Sequence, residues 1–340
     1  MQLKIIAINI YESDMLQFIP IIRKNSHKTL LIKIKILKPI ILLTAFIQLF
    51  ITTSPTLFSA TPHTREKKLI ITSIYPIFII TTNLVKGTDS FSVQNLIATG
   101  ASPHDYQFQP EDIKKIQKAD LILSTGLGID DWLIEASKRL FPNKVSNCKN
   151  ISKSLENRLI KIDSDNSDRS NKFNPHFWLD PSLMICAASN IAELLVELES
   201  HQRDTVYRNL AAFTAQMNEL DLKISKELAR LKNRSVIVKH NAYDYFARRY
   251  NIRIAAVVEE SHEMPISPQH LSKLITLGRQ NKIGAVFGET GGSNTIEKRI
   301  AEELNIPFAV LDPIESGDLS PESYIEKMLN NVEVLTRTLK

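Results

Sequence analysis

Three histidines sit where the backbone is stiffest. His176 lies in Asn174-Pro175-His176-Phe177-Trp178-Leu179-Asp180-Pro181, with a proline before it, two aromatics after it, a carboxylate four residues on and Pro181 placed to open a helix. His104, in Ser102-Pro103-His104-Asp105-Tyr106, and His240, in Lys239-His240-Asn241-Ala242-Tyr243, each follow an apolar strand-like run and precede a helical pattern. Asp312 follows the apolar run Phe308-Ala309-Val310-Leu311, with Pro313 fixing the turn after it. In open parallel sheets ligands bind beyond the carboxyl ends of the strands, which is where these four would collect. Three neutral imidazoles and one carboxylate form a nitrogen and oxygen donor set suited first to Zn²⁺ and then to Mn²⁺ or another divalent ion. Spacing alone leaves a second reading open: a histidine beside a strand is commonly a capped or hydrogen-bonded structural residue. No His-Glu-x-x-His motif settles the matter.

The elements that would carry these residues alternate. Leu69 to Tyr75 reads as a buried strand running into a helix at Pro76, Phe91 to Ile97 as a second strand, Pro110 as a helix start, Leu121 to Ser124 as a strand and Ile129 to Leu140 as a helix. Residues 142–173 turn to Asn, Ser, Lys and Asp and read as a solvated loop. Apolar spacing resumes over 183–198, and a longer helical pattern covers 204–231, with Val206, Leu210, Phe213, Met217, Leu220, Ile224 and Leu228 at three- and four-residue intervals. Strand and helix alternation then restarts at Val236 and continues to the closing helix over 321–339. The expected fold is α/β: two lobes, each a parallel sheet flanked by helices, joined by one long rigid helix. The expected boundaries are an export segment over 1–60, an N-terminal lobe over 67–200, the linking helix over 201–232 and a C-terminal lobe over 234–340.

The net charge of +5 does not point to nucleic acid. Seven Lys or Arg precede residue 40 against Glu12 and Asp14 alone, and the body of the chain is near neutral. That basic front end leads into the uncharged run Ile40 to Ile51, short for a membrane span and suited to the core of a signal peptide, so the protein is expected to be exported to the periplasm. The run has no Cys after it to take a lipid. With only Cys148 and Cys186 in the chain, no disulfide framework holds the fold.

From about Leu69 onward the sequence resembles the metal-binding solute-binding proteins of bacterial ABC transporters, the zinc and manganese uptake group. The resemblance is carried by Gly100 to Tyr106, by Gly126-Leu127-Gly128 with Asp131-Trp132-Leu133, by Asn174 to Pro181, by His240 to Tyr250, and by Phe287-Gly288-Glu289 and Leu311-Asp312-Pro313-Ile314. It implies that His104, His176, His240 and Asp312 ligate a metal held in a cleft between the lobes, and that the metal passes to a membrane permease. A histidine at 240, where manganese-selective members tend to carry Glu, favours zinc; a manganese-specific protein of the same class is the alternative. The chain departs from the family at Asn174, where Asp is usual, and in the segment 164–172, which has acids but no His. The protein is expected to be a monomer and not an enzyme.

Two readings from other classes compete: a zinc-dependent hydrolase, which would use three His and an open fourth position, and a surface adhesin on this fold. Glu289, at a strand end, reads equally as a solvated acid or as an acceptor orienting a ligand imidazole. Gly291-Gly292 reads as a tight turn and His262 as a surface residue, while His63, His201 and His270 are given no role.

Overall fold

The computed structural model describes residues 66–104, 106–162, 173–259 and 266–339. The expected export segment, His63 and His262 lie outside the described residues. In chain order the elements are β1 (Lys68–Thr72), α1 (Tyr75–Leu84), β2 (Phe91–Asn95), α2 (Pro110–Lys118), β3 (Leu121–Ser124), α3 (Asp131–Leu140), β4 (Cys148–Asn150), α4 (Pro181–Leu198) and α5 (Arg203–Leu228). They continue with β5 (Ser235–Val238), α6 (Asp244–Tyr250), β6 (Arg253–Val257), α7 (Pro268–Gln280), β7 (Ala285–Glu289), α8 (Thr295–Leu304), β8 (Phe308–Leu311) and α9 (Ser323–Thr338).

Two four-stranded sheets form, ordered β2-β1-β3-β4 and β6-β5-β7-β8, and every pairing in them is parallel. The inner strands read as unbroken apolar runs because helices cover both of their faces: β3, β5 and β7 are buried along their whole length. Each sheet keeps a small core on one face, Ile71, Ile122 and Leu133 in the first and Ile237, Val286 and Ile300 in the second. A single larger core runs through both halves, from Ile70 and Leu123 by way of α1, α4 and α5 to Val236, Phe287 and Leu335.

α5 is the 26-residue element running through that shared core, about 39 Å long at 1.5 Å per residue. It packs on α1 and α4 on one side and on α6 and α9 on the other. A second tie joins the halves: Tyr75 hydrogen-bonds Ser323 at the start of α9, Tyr324 Oη donates to the Trp178 carbonyl at 2.6 Å, and Trp178 Nε1 donates to the Pro313 carbonyl at 2.9 Å. The closing helix is thus anchored in the first half as well as the second.

The structure corrects the first part of the loop expected over 142–173; residues 163–172 lie outside the described residues. Two short 3₁₀ stretches, Pro142–Asn147 and Ile151–Arg158, flank β4, which completes the first sheet. β4 is three residues long, at a sheet edge and polar, so it carries no alternation that composition could reveal. Cys148 and Cys186 are both free thiols.

Candidate metal centre

His176 is held from both directions along the chain. Phe177, Trp178 and Leu179 form one 3₁₀ turn with no exposed surface, and α4 begins immediately after it, with Pro181 in its first turn and Asp180 accepting from Ser182 N. On the imidazole, Nδ1 donates to Asn174 Oδ1 at 2.8 Å, and the Asn174 amide is fixed in turn by donating to the Asn241 carbonyl at 2.6 Å and to Asp244 Oδ2 at 2.9 Å. With Nδ1 carrying the proton, Nε2 presents a lone pair. Asn at 174 has a local reason: an aspartate there would set two carboxylates face to face.

His240 follows β5 in extended backbone and enters the 3₁₀ turn Asn241–Tyr243. Its Nδ1 lies 2.7 Å from Glu289 Oε2 and 2.6 Å from Oε1. Glu289 ends β7 and is itself locked by Asn294, which accepts from Glu289 N at 2.8 Å and donates to its carbonyl at 2.9 Å. Gly288 permits that approach, since a Cβ there would stand 2.2 Å from Asn294 Oδ1. Of the two readings of Glu289 left open by the sequence, the structure therefore gives the buried acceptor.

His104 sits in the segment leading to α2. Two residues on, Tyr106 Oη donates to Asp112 Oδ2 at 2.6 Å, and the Tyr106 and Phe108 rings pack on Trp132 at 5.2 and 5.7 Å between centroids.

These three imidazoles converge, and a fourth group joins them that nothing in the sequence marked, Glu315. His176 Nε2 lies 3.2 Å from His104 Nε2 and 3.3 Å from His240 Nε2. Glu315 Oε1 lies 3.2 Å from His104 Nε2, 3.2 Å from His176 Nε2 and 3.6 Å from His240 Nε2. All four ligand atoms fall within 4.8 Å of one another. A tetrahedral zinc site with bonds of about 2.0–2.1 Å has edges of about 3.3 Å, and five of the six edges here are 3.2–3.6 Å. Two of the groups come from each half of the chain. His104 is the most open, with 16% of its side chain exposed against 2% for His176, 3% for His240 and 10% for Glu315, so access is from its side.

Asp312, the fourth ligand expected from the sequence, is not in this group. One carboxylate oxygen accepts from Ile314 N at 2.8 Å and the other is ion-paired with Lys327. Asp312 is the acid nearest the strand end; Glu315, three residues later, is carried into the cluster by a turn that composition does not encode. His201 pairs with Glu199 at 3.0 Å, and the His270 backbone N–H donates to the Ser267 cap of α7 at 3.1 Å; both lie outside the cluster.

Burial, and the charge of two neighbouring imidazoles, push His176 down to about 3 despite its contact with Glu315, so it is neutral across the physiological range. Burial also opposes charge on His240, but the hydrogen bonds to Glu289 and Glu315 outweigh it and raise the imidazole to about 9. Burial of Glu315 is outweighed in the same way by its three histidine partners, which hold its carboxyl well below the usual range. Without metal, then, a proton on His240 sits between two carboxylates, in the place a divalent cation would take. A hydrolase would need an open coordination position and a free general base; Glu315 stands at the fourth corner and Glu289 is engaged by His240.

The two parallel sheets, the helix spanning both and the site drawn from both halves define the fold of the two-lobed solute-binding proteins. Residues 70–338 match the model of the ZnuA family, described as zinc-uptake complex component A, periplasmic, and the chain belongs to that family. It is 26% identical over 278 residues to the zinc-binding lipoprotein AdcA of Streptococcus pneumoniae, covering 79% of this chain and 55% of that protein, so it spans about half the length of that relative. It is likewise 26% identical over 290 residues to the manganese ABC transporter substrate-binding lipoprotein PsaA of Streptococcus pneumoniae, covering 83% of this chain and 92% of that one. The crystal structure of ZnuA superposes with a TM-score of 0.69 at 27% identity, covering 81% of this chain and all of the other, 100%. These relatives are binding components of transport systems, not enzymes.

Proposed function

We propose that this protein captures Zn²⁺ outside the cytoplasm through His104, His176, His240 and Glu315 and delivers it to the permease of an ABC transporter. Its segment 1–60 serves export to the periplasm, and it works as a monomer. The observation that carries this reading is the meeting of the four ligand atoms within 4.8 Å of one another, two from each half of the chain. Three nitrogens against one oxygen favour zinc over manganese, which prefers a harder, oxygen-rich set and lies lower in the general order of affinities. Charge supports a divalent cargo: once metal displaces the His240 proton, Glu315 in the cluster and Glu289 behind His240 supply two negative charges around neutral imidazoles.

Competition between the two metals tests the proposal. Chelator-stripped protein equilibrated with equal Zn²⁺ and Mn²⁺ and analysed by mass spectrometry for metals is expected to hold about one zinc per chain and little manganese. His240→Glu, which replaces one nitrogen with an oxygen donor, is expected to shift the ratio toward manganese by tenfold or more, as an order of magnitude. Failure to retain either metal would overturn the reading, and preferential uptake of manganese by the unaltered protein would overturn the assignment of zinc.

A further inference from the structure

The carboxylate of Asp312 contacts no member of the cluster, yet it is tightly held. Its Oδ1 accepts from Ile314 N at 2.8 Å, its other oxygen is paired with Lys327, and Asn331 holds its backbone at both ends, accepting from Asp312 N at 2.8 Å and donating to its carbonyl at 2.7 Å. The residue this clamp grips is unusual. Ile314 has φ of +57° and no exposed surface, a left-handed backbone that a β-branched side chain adopts only when its surroundings force it. The left-handed residues Asn251 and Asn305 end helices, where that conformation is ordinary for asparagine. Ile314 ends no helix and stands immediately before Glu315.

The far side of Glu315 is also pinned. Gly100 N donates to Ser316 Oγ, and Gly317 passes so close to the Tyr75 ring that a Cβ would lie 2.6 Å from Tyr75 Cζ. Glu315 is therefore strung between two fixed points.

We propose that Asp312 is a positioning residue for the metal site: its carboxylate holds Ile314 in the left-handed conformation, and that conformation turns Glu315 into the three imidazoles. Without the clamp Ile314 relaxes to the extended region and Glu315 Oε1 leaves the cluster. The inference rests on the reading of Glu315 as a metal ligand, and goes beyond it by giving Asp312 a role that involves no contact with metal.

The test compares Asp312→Asn, Asp312→Ala and Asp312→Ala with Ile314→Gly, reading zinc affinity by chelator competition and ligand geometry by the visible absorption of the Co²⁺-loaded protein. Asp312→Asn keeps an oxygen for Ile314 N–H and is expected to bind zinc within about threefold of the unaltered protein, with the same Co²⁺ spectrum. Asp312→Ala is expected to bind about tenfold or more weakly, in line with strain that is no longer held. Adding Ile314→Gly, which adopts positive φ freely, should recover most of that loss. If the glycine variant does not fold, as a thermal melt would show, Ile314→Asn serves as the second suppressor, since asparagine also tolerates the left-handed region. Equal losses in Asp312→Asn and Asp312→Ala, with an altered Co²⁺ spectrum and no suppression, would overturn the proposal and make Asp312 a ligand. Undiminished binding by Asp312→Ala would overturn it too. If instead Glu315→Gln binds zinc as the unaltered protein does, the reading of Glu315 fails first and the inference with it.

Discussion

His176→Ala is expected to weaken zinc binding by roughly a thousandfold or more, beyond the 10- to 100-fold that loss of an outer partner of a ligand costs. Its Nε2 is the hub of the cluster, 3.2 Å from His104 Nε2, 3.3 Å from His240 Nε2 and 3.2 Å from Glu315 Oε1. The ring is buried, lies 5.1 Å from Trp178 between centroids and is pinned at Nδ1 by Asn174, so no neighbouring side chain is placed to supply the lost nitrogen. Glu289→Gln provides the contrast. It leaves all four ligand atoms in place and weakens only the orientation and basicity of His240, so its effect belongs in the 10- to 100-fold range, on the order of an outer-partner loss. Calorimetric titration of the two variants checks the ranking, with circular dichroism to confirm that both are folded. A smaller loss in His176→Ala than in Glu289→Gln would contradict the assignment.

The second large effect is on pH. A reference histidine would make affinity fall as pH drops through about 6.5, but the buried partners here displace the window. His240 is raised to about 9 by Glu289 and Glu315, so the metal-free protein carries a proton there at neutral pH, and zinc must expel it. The sign follows: metal needs the neutral imidazole, so apparent affinity rises with pH until about 9 and falls by about tenfold per unit below it, close to 100-fold between pH 8 and pH 6. His176, pushed down to about 3, adds nothing over that range. Titration in two buffers of different ionisation enthalpy is expected to show about one proton released per zinc at pH 7. A pH-independent affinity between 6 and 8 would show that His240 is not a protonated ligand.

Much of this site was legible in the chain, and the parts that were not share a cause. Local stiffness marked His104, His176 and His240 as candidates, through prolines at 103 and 175, the Phe177-Trp178 pair and apolar runs ending at Ile97 and Val238, and the family resemblance singled them out from structural histidines. The inner strands were legible because burial on both faces leaves unbroken apolar runs, as in Val236-Ile237-Val238 and Ala285-Val286-Phe287. β4 was hidden because a three-residue edge strand, Cys148–Asn150, has too little buried surface to bias composition. Glu315 was hidden for a related reason. What brings it into the cluster is the sign of one backbone angle at Ile314, and an isoleucine gives no hint of positive φ, whereas a glycine there would have marked the turn. The acceptor role of Glu289 needed the third dimension, since β5 and β7 are neighbours in the sheet but residues 240 and 289 are far apart in sequence.

The central claim is that three imidazoles from separate parts of the chain and one carboxylate surround a single zinc ion. X-ray absorption at the zinc edge of the loaded protein tests it most directly, because the outer scattering from imidazole rings counts them. Four nitrogen or oxygen neighbours at about 2.0 Å are expected, with the signature of three imidazoles, and one fewer in His176→Ala. A spectrum with one imidazole or none, or with sulfur at about 2.3 Å, would contradict it.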